Sequence, residues 1–364
     1  MTTTLWVAEE VIGIEQRRPD LSLIIPCYNE AATLERTVGQ IRQYLSAQSG
    51  VAVPAGMLVE ILLINDGSTD NTLTVMKNLS DQDARIRVVS YPVNRGRGEA
   101  IKLGIRKSLG DRIILLDADL SYDVDHIGEI LATFAADTAT DVVVVSPYMK
   151  GGVVAGVPFS RLFVSRCANW LMGGFFEGKF ATVTCVVRGY RGDLIRQLYL
   201  VDSGKELHLE ILRKLGLYNA RIQEIPGRLI WKKHDAAPRR KTNLKTVYSA
   251  QKHFLYALMI RPTRYFKYLT VILFAIGLYE VAAILLQAAS AFDPSLSLNH
   301  ALRMALKHAY AYSPYSFFIG IGALIMGFQT FSVLVILQTL KNQQEETLRH
   351  MLALLEDRNA VQTV

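Results

Sequence analysis

Two stretches in the last third of the chain restrict the fold more than anything else in it. Leu269 to Phe292 is apolar almost without a break, interrupted by Glu280, Gln287 and a few small polar residues, and Tyr315 to Leu337 forms a second run. Each reaches the roughly 20 residues that cross a hydrocarbon core of about 30 Å as a helix. Their flanks are basic, with Arg261, Arg264 and Lys267 before the first run and Lys341 after the second. Two spans return the chain to the side it left. The flanks make that side the cytoplasmic one, even with Arg303 and Lys307 in the connection. The runs explain a mean hydropathy of +0.20 in a chain of 364 residues that is 20% charged. With 50% hydrophobic residues the chain is not disordered, collagen-like or coiled coil.

No signal peptide is expected at the N-terminus, which carries Glu9, Glu10 and Glu15 where a basic region would stand. The formal charge of +7 is mild. Its cluster at Arg239, Arg240, Lys241 and Lys245, just before the spans, suits anionic lipid or phosphate better than nucleic acid. Cys27, Cys167 and Cys185 match no metal or redox spacing and read as small buried residues in a reducing compartment.

The first 150 residues alternate short β-branched runs with helical patterns. Leu21–Ile25, Glu60–Ile64, Ile86–Ser90, Arg112–Leu116 and Val142–Ser146 read as strands, mostly apolar throughout, as parallel strands covered on both faces are. Leu34, Val38, Ile41 and Leu45 recur at helical spacing. So do Ile101 and Ile105, and then Ile127, Ile130, Leu131 and Phe134. The pattern predicts βαβ units and a mostly parallel, doubly wound α/β sheet, with ligands beyond the carboxyl ends of its strands. Polar clusters stand at those ends: Pro26-Cys27-Tyr28-Asn29-Glu30, then Asn65-Asp66-Gly67-Ser68-Thr69-Asp70, then Asp117-Ala118-Asp119. Acidic groups converging on one crevice need a cation or a hydrogen-bonding ligand. Asp117 and Asp119, two apart, share one face if the segment is extended. Such a pair suits one Mg²⁺ or Mn²⁺ that keeps its other positions for water and substrate phosphate. Asn94-Arg95-Gly96-Arg97-Gly98 opens a helix, with glycines for close backbone approach and arginines for phosphate charge. It is no P-loop, and no Gly-x-Gly-x-x-Gly follows the first strand, which disfavours dinucleotides.

Together these motifs resemble the family 2 inverting glycosyltransferases. Within that family the chain is similar to the polyprenyl-phosphate glycosyltransferases, the group that contains dolichol-phosphate mannose synthase. The resemblance covers about residues 20–240, and the two-span tail resembles bacterial and archaeal members. It implies a GT-A fold: a Rossmann-like, mostly parallel sheet domain followed by two transmembrane α-helices. It implies that Pro26, Tyr28, Glu30 and Asp66 hold the nucleoside, that Arg97 lies beside the base or diphosphate, and that Asp117 and Asp119 bind Mg²⁺ or Mn²⁺ on the diphosphate, Asp119 with a catalytic part. Thr184-Cys185-x-x-Arg188-x-Tyr190-Arg191 resembles a further family segment, which makes Arg188 a catalytic candidate; Thr182 stands where that segment has Asp. The family's Gly-Ser-Arg after the fifth strand is Ser146-Pro147-Tyr148, so Arg161 or Arg166 is expected to replace the missing arginine, Arg166 also as a catalytic group. Lys232, Arg239 and Arg240 complete the expected acceptor-phosphate contacts. No Gln-x-x-Arg-Trp signature of processive synthases is present.

The expected partners are a nucleotide sugar (a UDP-hexose ahead of GDP-mannose), a polyprenyl phosphate of undecaprenyl type and the lipid bilayer, with no nucleic acid. Related bacterial enzymes form tetramers, so a homo-oligomer belongs among the expected partners. The reaction implied is a single displacement with inversion at an inner or plasma membrane, with the catalytic domain and both termini cytoplasmic. A glycolipid synthase acting on a lipid hydroxyl and an inactive membrane scaffold are the alternatives. The first needs a carboxylate base where Thr182 stands, and the second must explain why Glu30, Asp66, Asp117 and Asp119 are all kept.

The expected organisation is an N-terminal tail (1–19), the GT-A domain (20–240), a juxtamembrane amphipathic segment (241–267), a first span (268–292), an extracytoplasmic loop (293–314), a second span (315–338) and a cytosolic amphipathic tail (339–364). Pro158–Phe176 and Leu244–Ile260 read as interfacial helices. Glu280 reads as a helix contact between protomers or a local polar patch. His208 and His234, without partners at ligand spacing, read as surface residues.

Overall fold

Apolar runs with no polar face become strands buried on both sides, β1 (Leu21–Cys27), β2 (Val59–Asp66), β4 (Arg112–Leu115) and β5 (Val142–Ser146), while β3 (Ile86–Tyr91) is a partly buried edge strand. The runs between them become α1 (Ala31–Ser46), α2 (Thr72–Gln82), α3 (Arg97–Lys107) and α4 (His126–Ala136). The 3.6-residue spacing decides which faces are covered. Leu34, Val38 and Ile41 of α1, Ile101 and Ile105 of α3, and Ile127, Ile130, Leu131 and Phe134 of α4 are all buried. Then follow β6 (Val153–Ala155), β7 (Arg188–Arg191), α5 (Gly192–Gln197), α6 (Leu207–Leu217), β8 (Ile222–Pro226) and β9 (Arg228–Ile230). In this computed structural model the described residues are 17–46, 53–54, 56–159, 162–163, 165–166, 169, 180–204, 206–231 and 262–362. The chain divides into two units, Met1–Phe254 and Leu255–Val364.

The main sheet has the order β3-β2-β1-β4-β7-β5-β8. All pairs are parallel except those made by β7, which runs antiparallel between β4 and β5. The sheet is therefore the mostly parallel, helix-covered one expected of a GT-A domain. From β1 the chain winds outward through β2 to β3, then crosses back to β4 on the other side of β1. The β1–β4 boundary is thus the switch point, where an open α/β sheet binds ligands. Pairing there ends at Ile24 with Leu115, while β1 stays paired with β2 through Cys27. Pro26 has no N–H to give to a ladder, and it falls where β4 has already parted from β1. Strands β1 and β2 run further than the sequence pattern predicts, and both Pro26 and Asp66 lie within strands.

In the second unit, α7 (Pro262–Ser290) and α9 (Pro314–Gln362) contain the two apolar stretches. Both are long and apolar enough to cross a membrane, at Tyr265–Ser290 and Pro314–Gln344. Only 11% and 17% of their most apolar windows are buried, unlike the mostly buried core helix of a soluble protein. They pair through small and polar contacts: Thr270 Oγ1 donates to Thr330 Oγ1 at 2.9 Å, and Phe274 meets Phe328 edge-on at 5.1 Å. A Cβ at Gly320 would lie 3.0 Å from Cβ of Glu280, so Glu280 faces the partner helix of its own chain. The segment between the two apolar helices is largely a helix, α8 (Leu298–Tyr312), whose Ala301, Ala305 and Ala309 are buried at four-residue spacing; Ala305 and Ala309 cluster with Ala288, Ile284 and Phe317. The second span and the tail are one continuous helix, α9. The juxtamembrane segment to Arg261 and most of Pro158–Phe176 lie outside the described residues.

Candidate active site

The loops after β1 and β2 are sewn together by side chains from both motifs. Asn29, at φ 55, accepts the Thr69 N–H (2.9 Å) on Oδ1, and its own N–H donates to Ser68 Oγ (3.1 Å). Thr72 Oγ1 accepts the Glu30 N–H (2.8 Å), and Asp70 takes the Thr72 hydroxyl (2.5 Å) and N–H (3.0 Å). Much of the Asp-Gly-Ser-Thr-Asp motif therefore fixes loop geometry. Tyr28, 45% exposed, and Glu30 stand on the rim. Pro26 is buried beneath them. The Glu30 side chain accepts the Thr33 hydroxyl at 2.6 Å.

Asp66, expected to hold the nucleoside, is drawn into a hydrogen-bond network. It is 3% exposed, and its two oxygens accept four side-chain or backbone donors. Oδ1 takes the Tyr91 hydroxyl (2.6 Å) and the N–H groups of Arg95 (2.9 Å) and Gly96 (3.2 Å), and Oδ2 takes Asn94 Nδ2 (3.1 Å). Oδ1 is fully engaged, while Oδ2, with a single donor, keeps a lone pair that a ligand could use. Asp66 anchors the loop that carries Arg97. Gly67 completes that packing: at φ 60, a Cβ there would lie 2.4 Å from Asn94 N.

Asp117 and Asp119 stand beyond β4 on a turn, not on the extended segment expected. The Leu120 N–H closes the turn on Asp117 O at 3.2 Å, and Leu120 takes the left-handed φ of 46. This conformation is uncommon for leucine and concentrates at functional sites. Ser121 donates its N–H (2.9 Å) and hydroxyl (2.6 Å) to Asp119. Arg97, at the first position of α3, bonds through Nη2 to Asp117 Oδ1. Burial pulls the Arg97 pKa down, but the Asp117 charge, its hydrogen bond and the Asp119 charge outweigh it, and the guanidinium ends above its ordinary value. Both carboxylates of the pair thus act on one guanidinium.

The donor set fits a hard divalent cation: two carboxylates, with all further positions left to water and substrate oxygens. Among the described residues no cluster of three or more His, Cys, Asp or Glu could hold a metal by itself. Cys27 lies on the floor of this crevice, where burial and the Glu30 charge push its thiol up against the opposing Arg97 charge. Burial takes Cys185 up to about 12. Both are inert, buried thiols, as expected, and Cys167 lies outside the described residues.

Arg188, a catalytic candidate by motif, lies in the core. It is 0% exposed, with Nη1 on the His208 carbonyl (3.0 Å) and Nη2 on the Val183 carbonyl (2.6 Å). In this geometry it ties β7 to α6, with Nε unpartnered. His208, expected at the surface, is 4% exposed with Nδ1 unpartnered. Burial first, then the charges of Arg188 and Arg97, push its pKa well below the ordinary histidine value. Thr182, in the place of the resembled family's Asp, shares a 2.7 Å hydrogen bond with Ser146. The neighbouring carboxylate, Glu224, has both oxygens on the N–H groups of Ala181 (2.9 Å) and Thr182 (3.0 Å). Arg166 is exposed, its guanidinium 5.8 Å from the Tyr148 ring centre. Arg161, Lys232, His234, Arg239 and Arg240 lie outside the described residues. Sequence reasoning missed Ser121 and Tyr91. The Asp-x-Ser spacing at 119–121, a side-chain-to-backbone turn pattern, was the available signal for Ser121.

The chain is similar to several known proteins. Residues 22–198 match the family described as "Glycosyl transferase family 2". The chain is 28% identical over 209 residues to a "Dolichol-phosphate mannosyltransferase" of Pyrococcus furiosus, covering 57% of this chain and 55% of that one. It is 30% identical over 185 residues to a "Dodecaprenyl-phosphate galacturonate synthase" of Rhizobium johnstonii, covering 50% and 51%. The chain thus spans about half the length of these curated relatives. Among solved structures, the Mycobacterium tuberculosis glucosyl-3-phosphoglycerate synthase, crystallised with Mn²⁺, UDP and its product, is similar at a TM-score of 0.46 and 18% identity, covering 67% of this chain and 80% of that one. The β1–β4 crevice lies within residues 22–198, the segment similar to glycosyl transferase family 2.

Proposed function

We propose that the protein transfers a hexose from a nucleotide sugar, a UDP-hexose ahead of GDP-mannose, to the phosphate of a membrane polyprenyl phosphate, with inversion at the sugar carbon. The observation that carries this reading is the Asp117–Asp119 pair with Arg97 at the sheet's switch point. Such a set is suited to a diphosphate-bound cation. The two membrane-length helices on the same chain, and the lipid phosphates in the relatives' names, support a membrane acceptor.

Tyr28 offers an exposed ring to the base and Glu30 a carboxylate to the ribose. Asp117 and Asp119 hold Mg²⁺ or Mn²⁺, which neutralises charge on the departing diphosphate. Arg97 and the N-terminal turn of α3 face the same diphosphate. Arg166 is the described cation for the acceptor phosphate; Arg161, Lys232, Arg239 and Arg240 are its companions in this proposal. An acceptor phosphate oxygen forms a bond to the sugar carbon as the bond from that carbon to the diphosphate breaks. A phosphate monoester has its second pKa near about 6 and is already largely dianionic at neutral pH, so no protein base is needed. Positions 182 and 224 accord with this, since one holds a threonine and the other a carboxylate with both oxygens on backbone donors. Catalysis rests on in-line positioning and charge management. We place the crevice and both termini on the cytoplasmic side, where nucleotide sugars are found, and assign a homo-oligomer.

The test is a panel of radiolabelled UDP- and GDP-sugars incubated with the full chain, undecaprenyl phosphate and Mn²⁺. Label that is lipid-extractable and released by mild acid is the expected result. Label confined to an acid-stable glycolipid, or none with any sugar, overturns the reading.

A further inference from the structure

Asp117 already holds a cation, the guanidinium of Arg97. The backbone beneath Arg97 is fixed from two sides. Asp66 Oδ1 accepts the N–H groups of Arg95 and Gly96, and the Gly98 N–H donates to Ser203 O at 2.9 Å. A Cβ at Gly96 or Gly98 would approach the Ser203 backbone to 2.7 or 2.5 Å, so this turn has no room to drift. The Arg97 side chain is held differently: it is 39% exposed, against 15% for Asp117, and its side-chain hydrogen bond is to that carboxylate. A divalent cation arriving alone meets a carboxylate pair whose charge is partly cancelled. To bind, it must expel the guanidinium into water. A nucleoside diphosphate changes that balance, because it gives Arg97 a second anion at the head of α3.

We infer that Arg97 is a counter-ion switch: it occupies Asp117 in the empty crevice and passes to the donor diphosphate on binding, so that metal capture by Asp117 and Asp119 is conditional on the nucleotide. Arg97 thereby acts as a positioning residue for the pair. Metal and nucleotide are coupled, and the coupling is reciprocal: the factor by which nucleotide tightens metal equals the factor by which metal tightens nucleotide. Entry of a bare cation is disfavoured, and the metal arrives with, or after, the diphosphate.

The inference rests on the metal role proposed for the pair, and one experiment separates the two. Free Mn²⁺ is measured by electron paramagnetic resonance over the full chain in detergent micelles, with no nucleotide, with UDP and with GDP. In the wild type one of the nucleotides tightens Mn²⁺ by at least about tenfold. Arg97→Gln binds Mn²⁺ alone about tenfold tighter than the wild type, and its nucleotide benefit falls below about threefold. Arg97→Ala removes the charge independently and gives the same result. Arg97→Lys, which keeps a cation for Asp117, stays within about threefold of the wild type. If neither neutral variant, melting as the wild type does, binds Mn²⁺ alone any tighter, the switch is overturned and the metal site stands. If the wild type takes up no Mn²⁺ with either nucleotide, the metal role falls and the switch with it.

Discussion

Two aspartate sites end neighbouring parts of one sheet and have opposite fates. Asp66, at the end of β2, is buried under four donors from Tyr91, Asn94, Arg95 and Gly96. Asp117 and Asp119, beyond β4, stand on a partly exposed turn and share the field of one guanidinium. Residue type and strand-end position are the same in both. What differs is how many fixed donors each carboxylate has. A carboxylate held by fixed donors shapes the site, and one held by an exchangeable cation is available to a ligand. In the crevice the first kind builds the platform for the second, since Asp66 holds the backbone from which Arg97 reaches Asp117.

The contrast can be broken by exchanging the phenotypes. Asp119→Ala is expected to lower transfer by about 10³-fold while the melting temperature stays near that of the wild type, read by a label-transfer assay beside a thermal melt. Asp66→Ala is expected to lose about 3 kcal/mol of stability, seen in urea unfolding, because it strands two backbone N–H groups and a phenol. Equal stability loss from the two variants would erase the distinction.

A calibration comes from Asp83, away from the crevice. The hydrogen bonds from Arg85, with the charges of Arg85 and Arg42 behind them, hold its carboxyl down at about 2 despite partial burial. A depressed carboxyl pKa stabilises the fold above its ordinary value of 3.8, and that stabilisation is lost as pH falls toward 2. Asp83→Asn should therefore cost about 2 kcal/mol at neutral pH, little near pH 2, and nothing in turnover per folded molecule. His208 sharpens the picture with the smallest effect. Its lowered pKa means that the unfolded chain takes up a proton below about 6.5 that the folded chain refuses, so stability falls with pH there. His208→Gln should remove about 1 kcal/mol of that loss between about pH 6.5 and 5.5, measured as melting temperature against pH.

The sheet and the covered helix faces were legible in the sequence because burial on both faces leaves a continuous apolar run and a 3.6-residue period, as at Leu21–Cys27 and Leu34–Ile41. The strand-end placement of Asp117 and Asp119 followed from the same pattern. What the pattern could not carry was the direction of a side chain at a strand end. Asp66 turns inward because β2 continues to it and Tyr91 of β3 pairs beside it, a register that depends on a strand elsewhere in the chain. Arg188 was read by motif as a reactive cation, yet β7 enters the sheet antiparallel between β4 and β5 and carries it into the core. His208 was read as a surface residue because nothing local signals that α6 packs its first turn against that arginine. The α8 helix was missed because its alanines at 301, 305 and 309 are too small to register as an apolar face.

The account holds that the crevice manages charge and supplies no protein nucleophile or base, so the sugar carbon is displaced once. The stereochemistry of the product tests this most directly. An α-linked nucleotide sugar is supplied with undecaprenyl phosphate, and the anomeric configuration of the lipid product is determined by its proton and phosphorus couplings. The account predicts the β-linked product; an α-linked product would contradict it.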